Sequence, residues 1–202
     1  GSGPVRTGVT VVFPLGREAM TGVAAGHFTF NGDGEMTGSR FVDEFGELHG
    51  PIAITNTLSV GPVSAAIIEW NRLNVPLEDE LYARGLPVVT ETWDGFLNDI
   101  YGQHVHQVDV FKALDSASGG AVEEGNVGGG TGMVAHGFKG GIGTSSRRLA
   151  GGFTLGVLVQ ANYGTRQQLT IAGVPVGREI VGNERSRGDV PPADREGSII
   201  VV

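Results

Sequence analysis

The 202-residue chain has no cysteine. That excludes a disulfide framework, a thiolate nucleophile and any cysteine-ligated metal or cluster. It has no apolar run approaching the roughly 20 residues that cross a bilayer, so no membrane partner is expected. Basic residues are sparse: 14 Lys and Arg against 22 Asp and Glu give a formal charge of −8. No basic patch can be read, and nucleic acid is not expected as a partner. Prolines number only 9, too few for a collagen-like chain. With no basic-then-apolar targeting pattern in view, a cytoplasmic setting is expected. The opening Gly1-Ser2-Gly3-Pro4 carries no initiator Met, and some N-terminal sequence is expected to be missing.

Against these absences stands an excess. Glycine accounts for 35 of 202 residues, over twice the ordinary share of roughly 7%. The hydrophobic fraction is 40% and the charged fraction 18%, so the chain can build a sizeable core and is not a disordered low-complexity segment.

Local patterning predicts a mixed fold. Thr7–Pro14 and Ala24–Phe30 read as strands, Phe41–Gly50 as a hairpin turning at Gly46, and Pro51–Ser59 as a further strand. Val63–Leu73 predicts a helix with Ala65, Ile68 and Leu73 on one face and Glu69 and Arg72 outside. Leu77–Ala83 reads as a short helix, Val88–Trp93 as a strand, and Val110–Ser118 as a helix stopped by Gly119-Gly120. Between Gly119 and Gly143 there are 11 glycines in 25 residues, neither helix nor ordinary strand. Gly151–Tyr163 and Gln168–Val176 read as strands. Gly182–Glu196 holds 7 of the 36 charged residues and reads as an exposed linker. The closing Ser198-Ile199-Ile200-Val201-Val202 predicts a buried strand.

Common glycine motifs fail. In Gly132–Gly140 one residue too many precedes Lys139 and no hydroxyl follows it, so a phosphate loop is not expected. Neither Gly128/Gly130 nor Gly141/Gly143 completes a dinucleotide fingerprint. Asn31-Gly32-Asp33-Gly34-Glu35 lacks the glycine and glutamate that a calcium loop needs further on, and reads as a turn. His104 and His106 could share a strand face, but no carboxylate completes a metal set; no metal and no cofactor are expected.

The junction Glu196-Gly197-Ser198 is the sharpest local feature. Glycine leaves the 197 carbonyl open to attack by the Ser198 hydroxyl. Cleavage there would free an α-amine with an ordinary pKa near 8, able to act as base for its own hydroxyl. The bland reading is a serine that starts a strand.

Five blocks occur in order: Asn31–Gly38 (NGDGEMTG), Gly50–Thr57 (GPIAITNT), Glu91–Asp99 (ETWDGFLND), Glu124–Met133 (EGNVGGGTGM) and Phe138–Arg147 (FKGGIGTSSR). Together they resemble the L-aminopeptidase/D-amidase-esterase family, which includes the β-aminopeptidases. The resemblance implies an α+β fold: a four-layer α/β/β/α sandwich of the self-processing aminopeptidase type, here incomplete. Residues 1–197 would be the α-chain region of a single sandwich domain, with 182–197 as processing loop, and 198–202 the start of the β-chain.

It further implies a serine aminopeptidase that cuts itself at Gly197-Ser198. The enzyme would then hydrolyse N-terminal residues from short peptides, amides or esters through an acyl-enzyme. Ser198 is the implied nucleophile, Asn162 the implied oxyanion donor, and Glu91 and Trp93 the implied substrate-binding residues. Partners would be the short substrate, the protein's own downstream β-chain and further copies in a homo-oligomer. Trp93 stands where the family commonly has Tyr. The Ser and Glu that normally support the nucleophile are expected on the downstream part. Alternative readings are an amino-acid N-acetyltransferase of the related arginine-biosynthesis superfamily, and a non-catalytic binding or assembly module.

Overall fold

A computed structural model describes residues 3–17, 21–75, 85–180 and 197–202. In chain order the elements are β1 (Thr10–Val12), β2 (Val23–Ala24), α1 (Ser39–Phe45), β3 (Glu47–Leu48), β4 (Ile52–Asn56), α2 (Val60–Asn74) and β5 (Val88–Thr92). There follow α3 (Gln107–Ser116), β6 (Val134–Ala135), β7 (Phe138–Lys139), β8 (Gly141–Arg148), β9 (Thr154–Asn162), α4 (Val176–Glu179) and β10 (Ser198–Val201).

The β-branched runs around Val11, Ile54 and Val89 pair into one sheet, ordered β1-β4-β5. β1 runs antiparallel to β4, and β4 parallel to β5 in the register Ile52↔Val88 to Asn56↔Thr92. A parallel pair needs a crossover, and α2 lies within it. One face of this sheet, carrying Ala53 and Val89, packs against Val63, Ala66, Ile67 and Trp70 of α2 and Val110 and Leu114 of α3. Ile67 is fully buried there and contributes about 1.5–3 kcal/mol through its lost water contact. Trp70 carries its polar atom out of this core by donating from Nε1 to Asp115 Oδ1 at 2.8 Å.

The second sheet, β10-β9-β8, is antiparallel throughout. Gln160 and Ile142 are register partners, both buried, on its inner face. Leu155, Ile199 and Val201 alternate onto the other face and are exposed. A single-turn 3₁₀ segment, Gly128–Gly132, packs against β4, β8 and β9. Glycine is required in it: a Cβ on Gly130 would lie 2.8 Å from Gly141 Cα and from the Ile142 nitrogen. No side chain fits between backbones that close.

Several sequence expectations are corrected. The expected hairpin over Phe41–Gly50 is helix α1 followed by β3. Gly46 does turn the chain, but as a left-handed helix stop (φ 68°). α2 forms where expected yet buries Val63, Ala66, Ile67 and Trp70, leaving Ile68 and Leu73 exposed; two large aliphatics drew the predicted face round the helix. Of the expected strand Ala24–Phe30 only Ala24 is in a strand, as the second residue of β2, and Phe28 and Phe30 are exposed. Gln168–Val176 is not a strand: Gln168 ends a 3₁₀ turn, an Ile171↔Val174 bridge closes a tight turn, and Val176 opens α4. The glycine-rich 119–143 segment contains β6, β7 and the start of β8 as well as the 3₁₀ turn. Among the described residues the strand over Ser198–Val201 pairs only with β9, with Ile199 and Val201 exposed and Ser198 and Ile200 partly buried. Leu77–Ala83 and Gly182–Glu196 lie outside the described residues.

Candidate functional site

The antiparallel register of β9 and β10 sets Ser198 directly opposite Asn162. Neighbouring antiparallel partners project to the same side of the sheet, and here the two side chains meet: Asn162 Nδ2 donates to Ser198 Oγ at 3.0 Å. The end of β5 closes the cluster from the other sheet, where the backbone N–H of Trp93 donates to Ser198 Oγ at 3.1 Å.

Asn162 has no freedom to turn. Its Nδ2 also donates to the Trp93 carbonyl at 2.7 Å, and its Oδ1 accepts from the Val134 N–H at 2.9 Å. Both amide protons and the amide oxygen are therefore engaged. The Ser198 oxygen accepts two N–H bonds and keeps its own proton available to leave. Two donors aimed at one oxygen favour its charged form over its neutral one.

Gly197 precedes this serine at a place where a side chain cannot go, since a Cβ there would lie 2.9 Å from Tyr163 Cβ. Tyr163 is itself held edge-on against His136, with ring centroids 5.2 Å apart, and its carbonyl accepts from the His136 N–H at 2.9 Å. The Trp93 indole is 50% exposed and folds over Gly95. It offers an exposed aromatic surface on the residue whose main chain bonds Ser198 and Asn162.

Glu91, two residues earlier on β5, is buried and turned elsewhere. Its Oε2 accepts from Thr57 Oγ1 at 2.5 Å and its Oε1 from the Glu35 N–H at 3.3 Å. Burial pushes its carboxyl above the usual 4.5, the nearby charges of Asp33 and Glu35 add to the rise, and the bonds from Thr57 and Glu35 oppose it. Among the described residues no hydrogen bond joins Glu91 to Ser198, Asn162 or Trp93. Asp94, fully buried, is likewise raised by burial against the opposing pull of Thr7, Asn98 and Asn56.

The structure thus gathers Ser198, Gly197, Asn162 and Trp93 and sets Glu91 apart. The histidines do not converge. His104 pairs with Asp99 at 3.0 Å, while His106 caps α3. Among the described residues no group of three or more His, Asp or Glu could hold a metal ion, and no helix is long and apolar enough to cross a membrane.

Sequence reasoning missed the Trp93 main chain, the Val134 N–H and Thr57. Backbone groups leave no composition signal. Gln160, an amide set in the apolar run of β9, is a signal that the sequence carries and the reading of it left aside.

Comparison with known proteins bears on this site. The model for "Peptidase family S58" matches residues 1–202. The chain is 55% identical over 185 residues to the beta-peptidyl aminopeptidase BapA of Sphingosinicella xenopeptidilytica, covering 90% of this chain and 46% of that protein. A Burkholderia sp. beta-aminopeptidase superposes with a TM-score of 0.83 at 45% identity, covering 100% of this chain and 56% of that one. The L-aminopeptidase D-Ala-esterase/amidase of Ochrobactrum anthropi, described as a prototype serine aminopeptidase and a new variant of the Ntn hydrolase fold, gives a TM-score of 0.83 at 46% identity. It covers 98% of this chain and 54% of that one. The α+β fold is that of these Ntn-hydrolase aminopeptidases, and the chain spans about half the length of the relatives it matches.

Proposed function

Because the chain belongs to peptidase family S58, we propose that it is the nucleophile-bearing portion of a serine aminopeptidase that first cleaves itself between Gly197 and Ser198. The observation that carries this reading is the convergence of the Asn162 amide and the Trp93 N–H on Ser198 Oγ. In the first step Oγ attacks the Gly197 carbonyl carbon. The bond to the Ser198 nitrogen breaks, that nitrogen takes up the proton Oγ gives away, and an ester joins the two residues. Water then hydrolyses the ester to a Gly197 carboxylate and a free Ser198 amine.

The same hydroxyl next serves hydrolysis. The freed amine, with an ordinary pKa near 8, accepts the Oγ proton as Oγ attacks a substrate carbonyl. The Asn162 and Trp93 N–H groups are held on Ser198 Oγ before the reaction begins, and on this proposal they donate to the adjoining carbonyl oxygen once Oγ has bonded its carbon, where preorganised donors contribute most. The acyl-enzyme forms as the amine, alcohol or peptide leaving group departs with a proton, and water releases the acid.

Substrates are short peptides, amides or esters with a free N-terminus, and the names of the relatives extend the range to β-peptides. Glu91 would complement the substrate ammonium, and the Trp93 indole would flank the acyl side chain. The two sheets form the middle of a four-layer α/β/β/α sandwich, with α2 and α3 as one outer layer and the downstream β-chain supplying the other against Ile199 and Val201. Homo-oligomer formation belongs to the same proposal. The matches to aminopeptidases favour hydrolysis over acetyl transfer.

The test is Ser198→Ala in the full-length protein. It stops both splitting and hydrolysis on this account, and an uncut but active variant would overturn it.

A further inference from the structure

Beneath the Ser198 cluster lies a second layer of polar contacts that the reaction itself does not use. Gln160, fully buried on the inner face of β9, donates from Nε2 to Thr92 Oγ1 at 2.6 Å. Thr92, fully buried on β5, donates in turn to Met133 Sδ at 2.9 Å. Met133 is fully buried as well.

Each member of this chain stands within two residues of one member of the layer above. Gln160 is two residues before Asn162 on the same face of the same strand. Thr92 supplies the carbonyl half of the peptide whose N–H belongs to Trp93. Met133 immediately precedes Val134, whose N–H orients the Asn162 oxygen. The two bonds below, Gln160 to Thr92 and Thr92 to Met133, thus tie together the same three chain segments, from β5, β9 and the residue before β6, that meet around Ser198 Oγ.

Stability accounts for only one end of the amide, whose Nε2 donates to Thr92 Oγ1 at 2.6 Å and to the Thr55 carbonyl at 3.5 Å. Gln160 Oε1 is buried and has no hydrogen-bond partner among the described residues. An orphaned buried acceptor is unfavourable, and an apolar residue of similar length would fill the volume without it. We infer that Gln160 and Thr92, with Met133 as their terminal acceptor, are positioning residues: a buried cross-tie between the sheets that fixes Asn162 and the Trp93 peptide at working distance from Ser198. This inference rests on the hydrolase reading proposed above.

The test uses the full-length protein with Gln160→Met, Thr92→Val and Thr92→Ser. Gln160→Met keeps length and apolar packing; Thr92→Val removes the hydroxyl alone, and Thr92→Ser restores it. Three readouts are taken: steady-state kinetics with self-cleavage time courses, melting temperature, and hydrogen exchange at the Trp93 amide. Gln160→Met is expected to melt at or above the parent temperature. It and Thr92→Val are expected to lower kcat and slow self-cleavage by roughly 10- to 100-fold, the scale of a displacement of about 1 Å. KM stays near the parent value, the Trp93 amide exchanges faster, and Thr92→Ser behaves as the parent.

Parent-like kcat and parent-like Trp93 exchange in both Gln160→Met and Thr92→Val would overturn the cross-tie. So would a Thr92→Ser variant as impaired as Thr92→Val, because packing and not the hydroxyl would then be at fault. A parent that neither splits nor hydrolyses refutes the hydrolase reading instead, and the Trp93 exchange comparison still decides the cross-tie.

Discussion

Replacing Asn162 with alanine removes a donor to Ser198 Oγ, a donor to the Trp93 carbonyl and an acceptor for the Val134 N–H in one step. The consequences fall on two different quantities. Loss of one preorganised donor to a developing oxyanion lowers kcat on the order of 10²- to 10³-fold, about 2.7–4 kcal/mol. Loss of the other two bonds leaves a carbonyl and an N–H unpaired at a site only partly buried, which water can reach, so stability falls by about 1–3 kcal/mol. Asn162→Asp separates the two. Its carboxylate still accepts from Val134, but it donates nothing and sets a negative charge beside the Trp93 carbonyl and Ser198 Oγ. The aspartate variant is therefore expected to fold better than the alanine variant and to be at least as inactive. The assay is the full-length protein, with self-cleavage followed by intact mass, hydrolysis of a chromogenic aminoacyl anilide at saturating concentration, and denaturant unfolding. An Asn162→Asp protein with kcat within about tenfold of the parent would refute the assignment of Asn162 as the oxyanion donor.

Three further outcomes follow from the same geometry. Glu91 holds its proton more tightly in the folded chain than the ordinary 4.5, so its contribution to stability is complete below that pH and is lost as pH rises through the raised folded value. Glu91→Gln flattens this fall in denaturation curves taken from acid to neutral pH, leaving the slope of the same sign that Asp94 supplies, and it raises KM for substrates with a free ammonium. Trp93→Ala keeps self-cleavage near the parent rate, because the backbone N–H and carbonyl of that residue do the bonding, while substrate profiling shows altered KM among acyl side chains. Gly197→Ala places a Cβ 2.9 Å from Tyr163 Cβ and slows splitting at least about tenfold, as a displacement of the 197 carbonyl from its line of attack requires.

How far the sequence carried this picture depends on what each feature rests on. Strands β4, β5 and β9 were legible because β-branched runs bounded by turn residues leave a local signature. Ser198 was legible because glycine followed by serine at the edge of a charged segment is a chemical pattern. The burying face of α2 was misread, since Ile67 and Ile68 are adjacent and equally apolar, and the decision to bury Ile67 with Ala66 and Trp70 is made by the sheet opposite. The Phe41–Gly50 segment was misread because a left-handed glycine ends a short helix as readily as it turns a hairpin. Most of what holds Ser198 is main chain: the Trp93 N–H and carbonyl and the Val134 N–H have no residue type to betray them. Gln160 and Thr92 lie 68 positions apart, and only the packing of one sheet on the other brings them together.

The central claim is that Ser198 is both the cutting point and the nucleophile. The most direct measurement is N-terminal sequencing of the chains in the purified full-length protein, combined with their intact masses. The account predicts two chains, one ending at Gly197 and one beginning Ser-Ile-Ile-Val-Val, in an active sample. A single uncut chain with full hydrolytic activity, or a new terminus at any other residue, would contradict it.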